Sequence, residues 1–157
     1  MNETHPFVES LYALAKRQDR AALAELRRSI TAPMAAMRYV VPFLRKDASE
    51  REHRALLLVG QLFALHPAPG NRSLAGAMRM LSEQSDSVQL RFRALLDSDG
   101  EDLPVHLRHA ISLARGKEIA IDYDNLLVTI LNWDKANKRA QRAWAHDFWG
   151  QSSHDSQ

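Results

Sequence analysis

The residues best suited to chemistry are four cations near the end of the chain: Lys135, Lys138, Arg139 and Arg142. On one helix their spacing of i, i+3, i+4 and i+7 places all four on a single face. Like charges at these spacings repel each other, and the only nearby carboxylate, Asp134, is expected at the N-terminal cap. Such a face is either plainly solvated or binds a polyanion such as nucleic acid.

Further arginines fall on other helices in the order Arg27, Arg28, Arg91, Arg93, Arg108 and Arg115. Arg91 borders an apolar stripe, so its stem could lie along the core while its charged end reaches solvent. Each arginine alone is equally consistent with a favourable charge at a helix end or on a surface. Several together favour an extended basic track, which binds a sugar–phosphate backbone without reading its sequence.

The composition of the cations points the same way. Of the 21 lysines and arginines among 157 residues, 16 are arginine, whose planar fork suits phosphates and stacked bases. A GC-rich genome would also raise the arginine content. The excess of arginine is therefore explained equally well by nucleic-acid binding and by codon composition. The C-terminal half holds 9 cations against 10 anions, so any phosphate site there must be assembled locally.

Rival chemistries lack essential parts. Three pairs have residue types that bind metals but no companion ligands: His106 with His109, Glu50 with His53, and His146 with Asp147. The absence of cysteine excludes a disulfide scaffold, a thiolate zinc site and a cysteine nucleophile. Because no glycine-rich phosphate loop or nucleophile elbow is present either, we expect no enzyme activity, no metal and no cofactor.

The elements that must position these residues are helices. Alanine and leucine dominate, glycine and proline are scarce, and the alternation typical of strands is absent. The pattern predicts an all-α protein of about eight to nine helices. Their approximate ranges are 6–18, 19–30, 31–42, 49–65, 73–81, 88–96, 102–116, 122–132 and 134–149.

Helix boundaries follow from cap residues. Ser49 and Glu52 have the spacing of a capping box, and Gly100 is a candidate C-terminal stop. The other expected N-terminal caps are Asp19, Thr31, Ser73, Asp102, Asp122 and Asp134.

A break at residues 85–87 predicts two small helical-bundle lobes, over residues 1–86 and 87–150, followed by a disordered tail at 151–157. The N-terminus has no basic stretch followed by an apolar one, and no apolar run reaches membrane-spanning length. We therefore expect a cytoplasmic protein without a membrane partner.

The C-terminal part carries a family resemblance. It reads RFRALLDSDGEDLPVHLRHAISLARGKEIAIDYDNLLVTILNWD and continues into a basic helix that ends in RAWAHDFW. This segment resembles the CasB family, the small subunit of the type I-E CRISPR Cascade complex. Upstream, the segments AELRRSI, YVVPF, LLLVGQLFAL and SLAGAMRML follow the order of that family, so the resemblance covers residues 7–149.

The resemblance implies an all-helical, two-lobed and non-enzymatic subunit for antiviral defence. Two copies would contact each other, the backbone subunits and the large subunit. Surface cations would help to hold the target DNA strand that pairs with the guide crRNA, and the displaced strand, in an R-loop. In such a complex base pairing supplies the sequence specificity.

The basic positions of the family fall on Arg27, Arg28, Arg91, Arg108 and the final-helix cluster, and across an alignment gap on Arg51. With Arg93 and Arg115 these are the expected nucleic-acid-binding residues. The alternative from the residues alone is a helical scaffold that acts only through protein–protein contacts.

Overall fold

The protein is all-α over residues 3–151, the part that the computed structural model describes. The tail predicted to be disordered lies outside these residues, apart from Gln151. The helices are α1 (Pro6–Lys16), α2 (Arg20–Arg28), α3 (Met37–Val40), α4 (Glu50–Leu65), α5 (Leu74–Ser82), α6 (Asp86–Asp97), α7 (Leu103–Gly116), α8 (Tyr123–Leu131) and α9 (Arg139–Trp149). Short 3₁₀ turns at Pro33–Ala36 and Val41–Phe43 flank α3.

Helix α4 forms the centre of the molecule, as its apolar sequence predicts. It packs against α1, α2, α3, α7 and α8, and its residues from Leu58 to Ala64 are all buried. Gly60 lies at a close contact of α4 with α1 and α2, because a Cβ there would lie 3.3 Å from both Leu26 Cδ2 and Phe7 Cζ. An alanine would therefore require these two side chains to shift by a few tenths of an ångström.

Helix α5 organises the other side of the core. It packs against α6, α7 and α9. The predicted boundary between lobes falls beside the short turn that separates α5 from α6, and the division into lobes stays a prediction. None of the helices described within residues 3–151 is long and apolar enough to span a membrane.

Four N-terminal caps are confirmed by hydrogen bonds from the backbone to the side chain. The Ser49 and Glu52 capping box is complete. The other three are Asp19, which accepts from the amide of Ala22; Ser73, which accepts from Gly76; and Asp122, which accepts from Asn125.

Two other expected caps lack the side-chain bond. Thr31 caps no helix: its hydroxyl donates to the Arg28 carbonyl at 3.3 Å, and the next turn begins only at Pro33. Asp102 is the N-terminal cap residue of α7, as predicted, but its side chain makes no cap bond; Asp99 instead accepts from the amides of residues 101 and 102 at 3.1 Å.

The end of α6 at Asp97 lies one residue beyond the predicted end, but the role of Gly100 as its stop is wrong. The helix ends there because Ser98 is extended and its hydroxyl donates back to the Leu95 carbonyl at 2.6 Å. No glycine within residues 3–151 has the positive φ that a left-handed helix stop requires.

Candidate nucleic-acid interface

The eleven predicted cations all reach the surface. Arg108 is half-buried and the other ten are exposed. None of them takes part in an ion pair within the described residues. The ion pairs found there are Arg17–Asp19 at 3.5 Å, Arg38–Glu25 at 4.0 Å and Arg45–Asp47 at 3.6 Å. The predicted cations therefore retain their charge for an external partner.

The cluster predicted on the last helix is only partly correct. Arg139 and Arg142 lie on one exposed face of α9, three residues apart, and His146 extends that face. Lys135 and Lys138 are not on this face, because α9 begins five residues after Asp134 and both lysines belong to the preceding turns.

Burial of Trp133 explains this late start. Its indole N–H donates to the Ser98 carbonyl at 2.9 Å, and its own carbonyl accepts from the side chain of Gln141 at 2.8 Å. The chain must turn to make both contacts, and Lys138 adopts the left-handed conformation with φ 57° before the helix starts. Asn137 Oδ1 then accepts from the Arg139 amide at 3.0 Å, in place of the predicted Asp134 cap.

Aromatic packing fixes the orientation of the Arg139 and Arg142 face. On the opposite side of α9, Trp144 is 1% exposed and its indole N–H donates to Asn125 Oδ1 at 3.2 Å. Farther along, Phe148 stacks on Phe92 with ring centroids 4.2 Å apart. A rigid helix thus presents the two guanidinium groups to solvent.

Helix α6 places Arg91 beside the core, as predicted, because the neighbouring Phe92 is fully buried. The Arg91 guanidinium donates to Nε2 of His109 on α7. Arg93 lies on the outward face of α6, on the opposite side from the core. Arg91 and Arg93 therefore lie on different faces of α6 and do not form one cluster.

On α7, Arg108 and Arg115 share a flank that differs from the one carrying His109. Neither side chain makes a hydrogen bond within residues 3–151. Arg108 is held close to the protein surface by its partial burial, so its guanidinium has less conformational entropy to lose on binding.

Arg27 and Arg51 contact the ends of other helices. Arg27 Nη1 donates to the Ala64 carbonyl near the end of α4, and Arg51 Nη1 to the Leu131 carbonyl at the end of α8, both at 3.3 Å. Carbonyls at helix C-termini lack intrahelical partners and favour cations. These contacts support the structural interpretation of both arginines, whereas Arg28 makes no side-chain hydrogen bond in the described chain.

The groove beside Arg51 has a mixed charge. It has a volume of about 680 Å³, and Arg54 lines it with Arg51. Asp99, Glu101 and Asp134 line it too. A phosphate would meet three carboxylates there, so this groove is a poor continuation of a basic track.

A second polar cavity was missed by the sequence analysis. It has a volume of about 400 Å³ and lies where α5, α8 and α9 meet. Arg72, Arg79 and His146 line it. Arg72 and His146 are 74 residues apart in the chain, so no periodicity in the sequence connects them. The His146–Asp147 pair, considered above for metal binding, contributes both its residues to this cavity; Asp147 accepts from the Ser73 hydroxyl at 2.8 Å.

Among residues 3–151 no group of three or more histidine, cysteine or acidic side chains is placed to hold a metal ion. The geometry of residues 3–151 defines a class: an all-helical protein in which most surface arginines have no carboxylate partner.

The family model for the CRISPR-associated protein Cse2 matches residues 22–149. A CRISPR-associated protein Cse2 from Thermus thermophilus is 37% identical over 137 residues, which cover 83% of this chain and 79% of the relative. The chain belongs to the Cse2 family.

Solved structures agree. A Cse2-family protein from Thermus thermophilus superposes with a TM-score of 0.85 at 34% identity, covering 96% of this chain and 100% of that one. CasB from Thermus thermophilus gives 0.79 at 35% identity, with 93% and 99% covered, which confirms the resemblance to CasB. The fold also occurs in a chain of a CRISPR RNA-guided surveillance complex, with a TM-score of 0.71 at 23% identity and 90% and 87% covered.

Proposed function

We propose that the protein is a non-catalytic subunit of a type I-E CRISPR RNA-guided surveillance complex, Cascade, in the cytoplasm. It binds the sugar–phosphate backbone and stabilises the R-loop of guide RNA, target DNA and displaced strand during antiviral defence. Membership of the Cse2 family supports the setting, and the fold shared with a chain of a surveillance complex is consistent with it.

The observation that carries the proposal is the set of cations without internal partners. Three of the eleven, Arg27, Arg51 and Arg91, have a side-chain hydrogen bond within the described residues. The remaining eight have neither such a bond nor an ion pair. An arginine already neutralised by a carboxylate would gain little from a phosphate, whereas a free guanidinium releases counterions from nucleic acid when it binds.

Within that set, Arg108, Arg139 and Arg142 are the strongest candidates. Arg108 and Arg142 lie next to buried residues of their helices, and all three stand on helices that are fixed by packing against the core. Such contacts position a strand but read no bases, which suits a subunit of a complex whose specificity comes from base pairing. We predict that Arg27, Arg28, Arg91, Arg108 and the cations of the final-helix cluster form one or two continuous stripes.

The proposed partners are crRNA, target DNA, the backbone and large subunits of the complex, and a second copy of the protein. Exposed apolar side chains offer surfaces for the protein contacts, since Leu90 is 63% and Val105 58% exposed. The same side chains support the alternative function, a scaffold that works through protein–protein contacts alone.

The test compares two triple variants in the assembled complex. R108A/R139A/R142A removes three unpaired arginines, and R17A/R38A/R45A removes three exposed arginines that are ion-paired, so both remove the same charge. We expect the first to weaken target-DNA binding by about tenfold or more at moderate salt, and the second to bind nearly as the unmodified complex does.

Equal affinities of the two variants, with the subunit retained in the complex, would contradict the role in nucleic-acid binding and favour the scaffold. If the subunit is lost from the complex in R108A/R139A/R142A but retained in R17A/R38A/R45A, the scaffold is also favoured, because Arg108, Arg139 and Arg142 would then serve protein contacts.

A further inference from the structure

The polar cavity between α5, α8 and α9 contains arginines and carboxylates that do not pair with each other. Arg72, Arg79, Asp122 and Asp147 all line the same space of about 400 Å³. Nevertheless no ion pair within 4.0 Å joins any of them in the described residues. Opposite charges that share a cavity without contact leave room for a ligand between them.

The carboxylates are held by other groups. Asp122 Oδ1 accepts from the amide of Asn125 at 3.0 Å, and its own amide donates to the Arg72 carbonyl at 2.7 Å. Asp147 Oδ2 accepts from the hydroxyl of Ser73 at 2.8 Å. One oxygen of each acid thus fixes a wall of the cavity, and in the described residues neither acid lies within 4.0 Å of a guanidinium nitrogen.

The donors, in contrast, are available. The Arg72 side chain makes no hydrogen bond in the described chain, and its stem lies against Gly76, where a Cβ would be 3.0 Å from Arg72 Cγ. Arg79 uses Nη1 to bind the Gly150 carbonyl at 3.0 Å, which leaves its other N–H groups free. Asn125 accepts the Trp144 indole proton with its oxygen, so its amide N–H groups remain as donors.

We propose that this cavity binds a phosphate group of a nucleic-acid strand, between the guanidinium groups of Arg72 and Arg79. Two guanidinium forks and an amide provide the several N–H donors that phosphate oxygens accept. The neighbouring carboxylates keep their negative charge and weaken the attraction, because a hydrogen bond to one oxygen of each does not neutralise it. The inference rests on the proposed function, and it adds a contact formed by residues outside the predicted set.

Three full-length variants test the cavity by changing its charge in both directions. Arg72→Ala removes a free guanidinium, Asp147→Asn removes a negative charge while its amide oxygen can still accept from Ser73, and Arg17→Ala is the matched control with an ion-paired arginine. The probe is a fluorescent oligonucleotide of about twenty deoxythymidines at low salt, with binding followed by anisotropy over a salt series.

We expect Arg72→Ala to weaken binding several-fold and to reduce the slope of log K against log salt by about 0.7, the value for one contact with a single strand. Asp147→Asn should tighten binding, and Arg17→Ala should leave it unchanged. Equal binding by the Arg72 and Arg17 variants, or no change in Asp147→Asn, would overturn the proposal.

Titration with inorganic phosphate alone separates a strand from a small ion. If calorimetry shows phosphate binding that depends on Arg72 while oligonucleotide binding does not, the assignment to a strand is wrong. The variant R108A/R139A/R142A distinguishes the cavity from the proposed function, because it leaves the cavity intact. Loss of binding in R108A/R139A/R142A but not in Arg72→Ala would remove the cavity and keep the function. Loss of binding in Arg72→Ala but not in R108A/R139A/R142A would keep the cavity and contradict the assignment of phosphate contacts to Arg108, Arg139 and Arg142.

Discussion

The stretch from Arg17 to Asp47 and the helices α6 to α9 use their charges differently. The first contains all three ion pairs of the described chain. The second contains none, even though the C-terminal half has about as many acidic as basic residues. A shortage of carboxylates therefore does not explain the unpaired arginines.

The difference lies in what the acids bind. In the C-terminal half, carboxylates accept hydrogen bonds from backbone amides: Asp99 from residues 101 and 102, Asp122 from Asn125, and Asp124 from His5 at 2.7 Å. None of these three acids lies within 4.0 Å of an arginine or lysine nitrogen in the described residues, whereas Asp19 in the first region both caps α2 and pairs with Arg17 at 3.5 Å. Net charge alone thus hides a surface of cations that have no carboxylate partner in the described chain.

The largest expected effect tests what holds the second region together in the absence of ion pairs. Trp144→Ala removes a buried indole that packs on Trp133 with ring centroids 5.7 Å apart. We expect the free energy of unfolding to fall by about 3–5 kcal/mol, measured by chemical denaturation.

Trp149→Ala is the matched control, because this indole is 47% exposed and contacts Phe92 and Phe148 from outside the core. It should cost no more than about 1.5 kcal/mol. Similar decreases in the free energy of unfolding for both variants would show that the burial of Trp144 is not what stabilises this region.

The next effect concerns tyrosines in the two regions at alkaline pH. Burial raises the pKa of Tyr123, whose hydroxyl donates to the His66 carbonyl. Above pH 10 the unfolded chain releases this proton while the folded chain keeps it, so stability falls as the pH rises, by about 1.4 kcal/mol per pH unit from this group. Tyr123→Phe should flatten the fall.

Tyr39 gives the comparison from the first region. Burial, and then its hydrogen bond to Glu25 at 2.5 Å, raise the pKa of this phenol too, but the side chain is only half-buried. Tyr39→Phe should therefore flatten the alkaline loss less than Tyr123→Phe does. Denaturation midpoints between pH 9 and 11 measure the alkaline loss of stability in both variants. A larger effect of Tyr39→Phe would contradict the expectation that Tyr123 contributes more to this loss.

The smallest effect is on the stability of the two triple variants. R17A/R38A/R45A removes exposed ion pairs, each worth about 0–1 kcal/mol, so the free energy of unfolding should fall slightly. R108A/R139A/R142A removes cations that have no partner and puts a stronger helix former in their place, so stability should stay equal or rise. Thermal unfolding at low and high salt distinguishes them, and a clear loss in the second variant would reveal hidden partners.

Local signals predicted much of the fold. Asp19, Ser49, Ser73 and Asp122 each accept from the amide three residues along the chain, and the local sequence contains that information. The central helix α4 was predicted because its apolar run needs burial on nearly all sides.

The start of α9 could not be predicted in this way. Asp134 is as good a cap residue as Asp122, but Trp133 must reach the Ser98 carbonyl, 35 residues away in sequence, before the helix can begin. Lys135 and Lys138 were therefore assigned to a helical face that they do not share. The cavity at Arg72 and Arg79 also depends on long-range packing, since α9 forms one of its walls.

The central claim is that the unpaired arginines of α7 and α9 bind phosphates. The most direct measurement is the salt dependence of single-stranded oligonucleotide binding by the unmodified protein and the two triple variants. Loss of three contacts should make the slope of log K against log salt shallower by about 2 in R108A/R139A/R142A, while R17A/R38A/R45A stays parallel to the unmodified protein. Parallel lines for all three proteins would contradict the account.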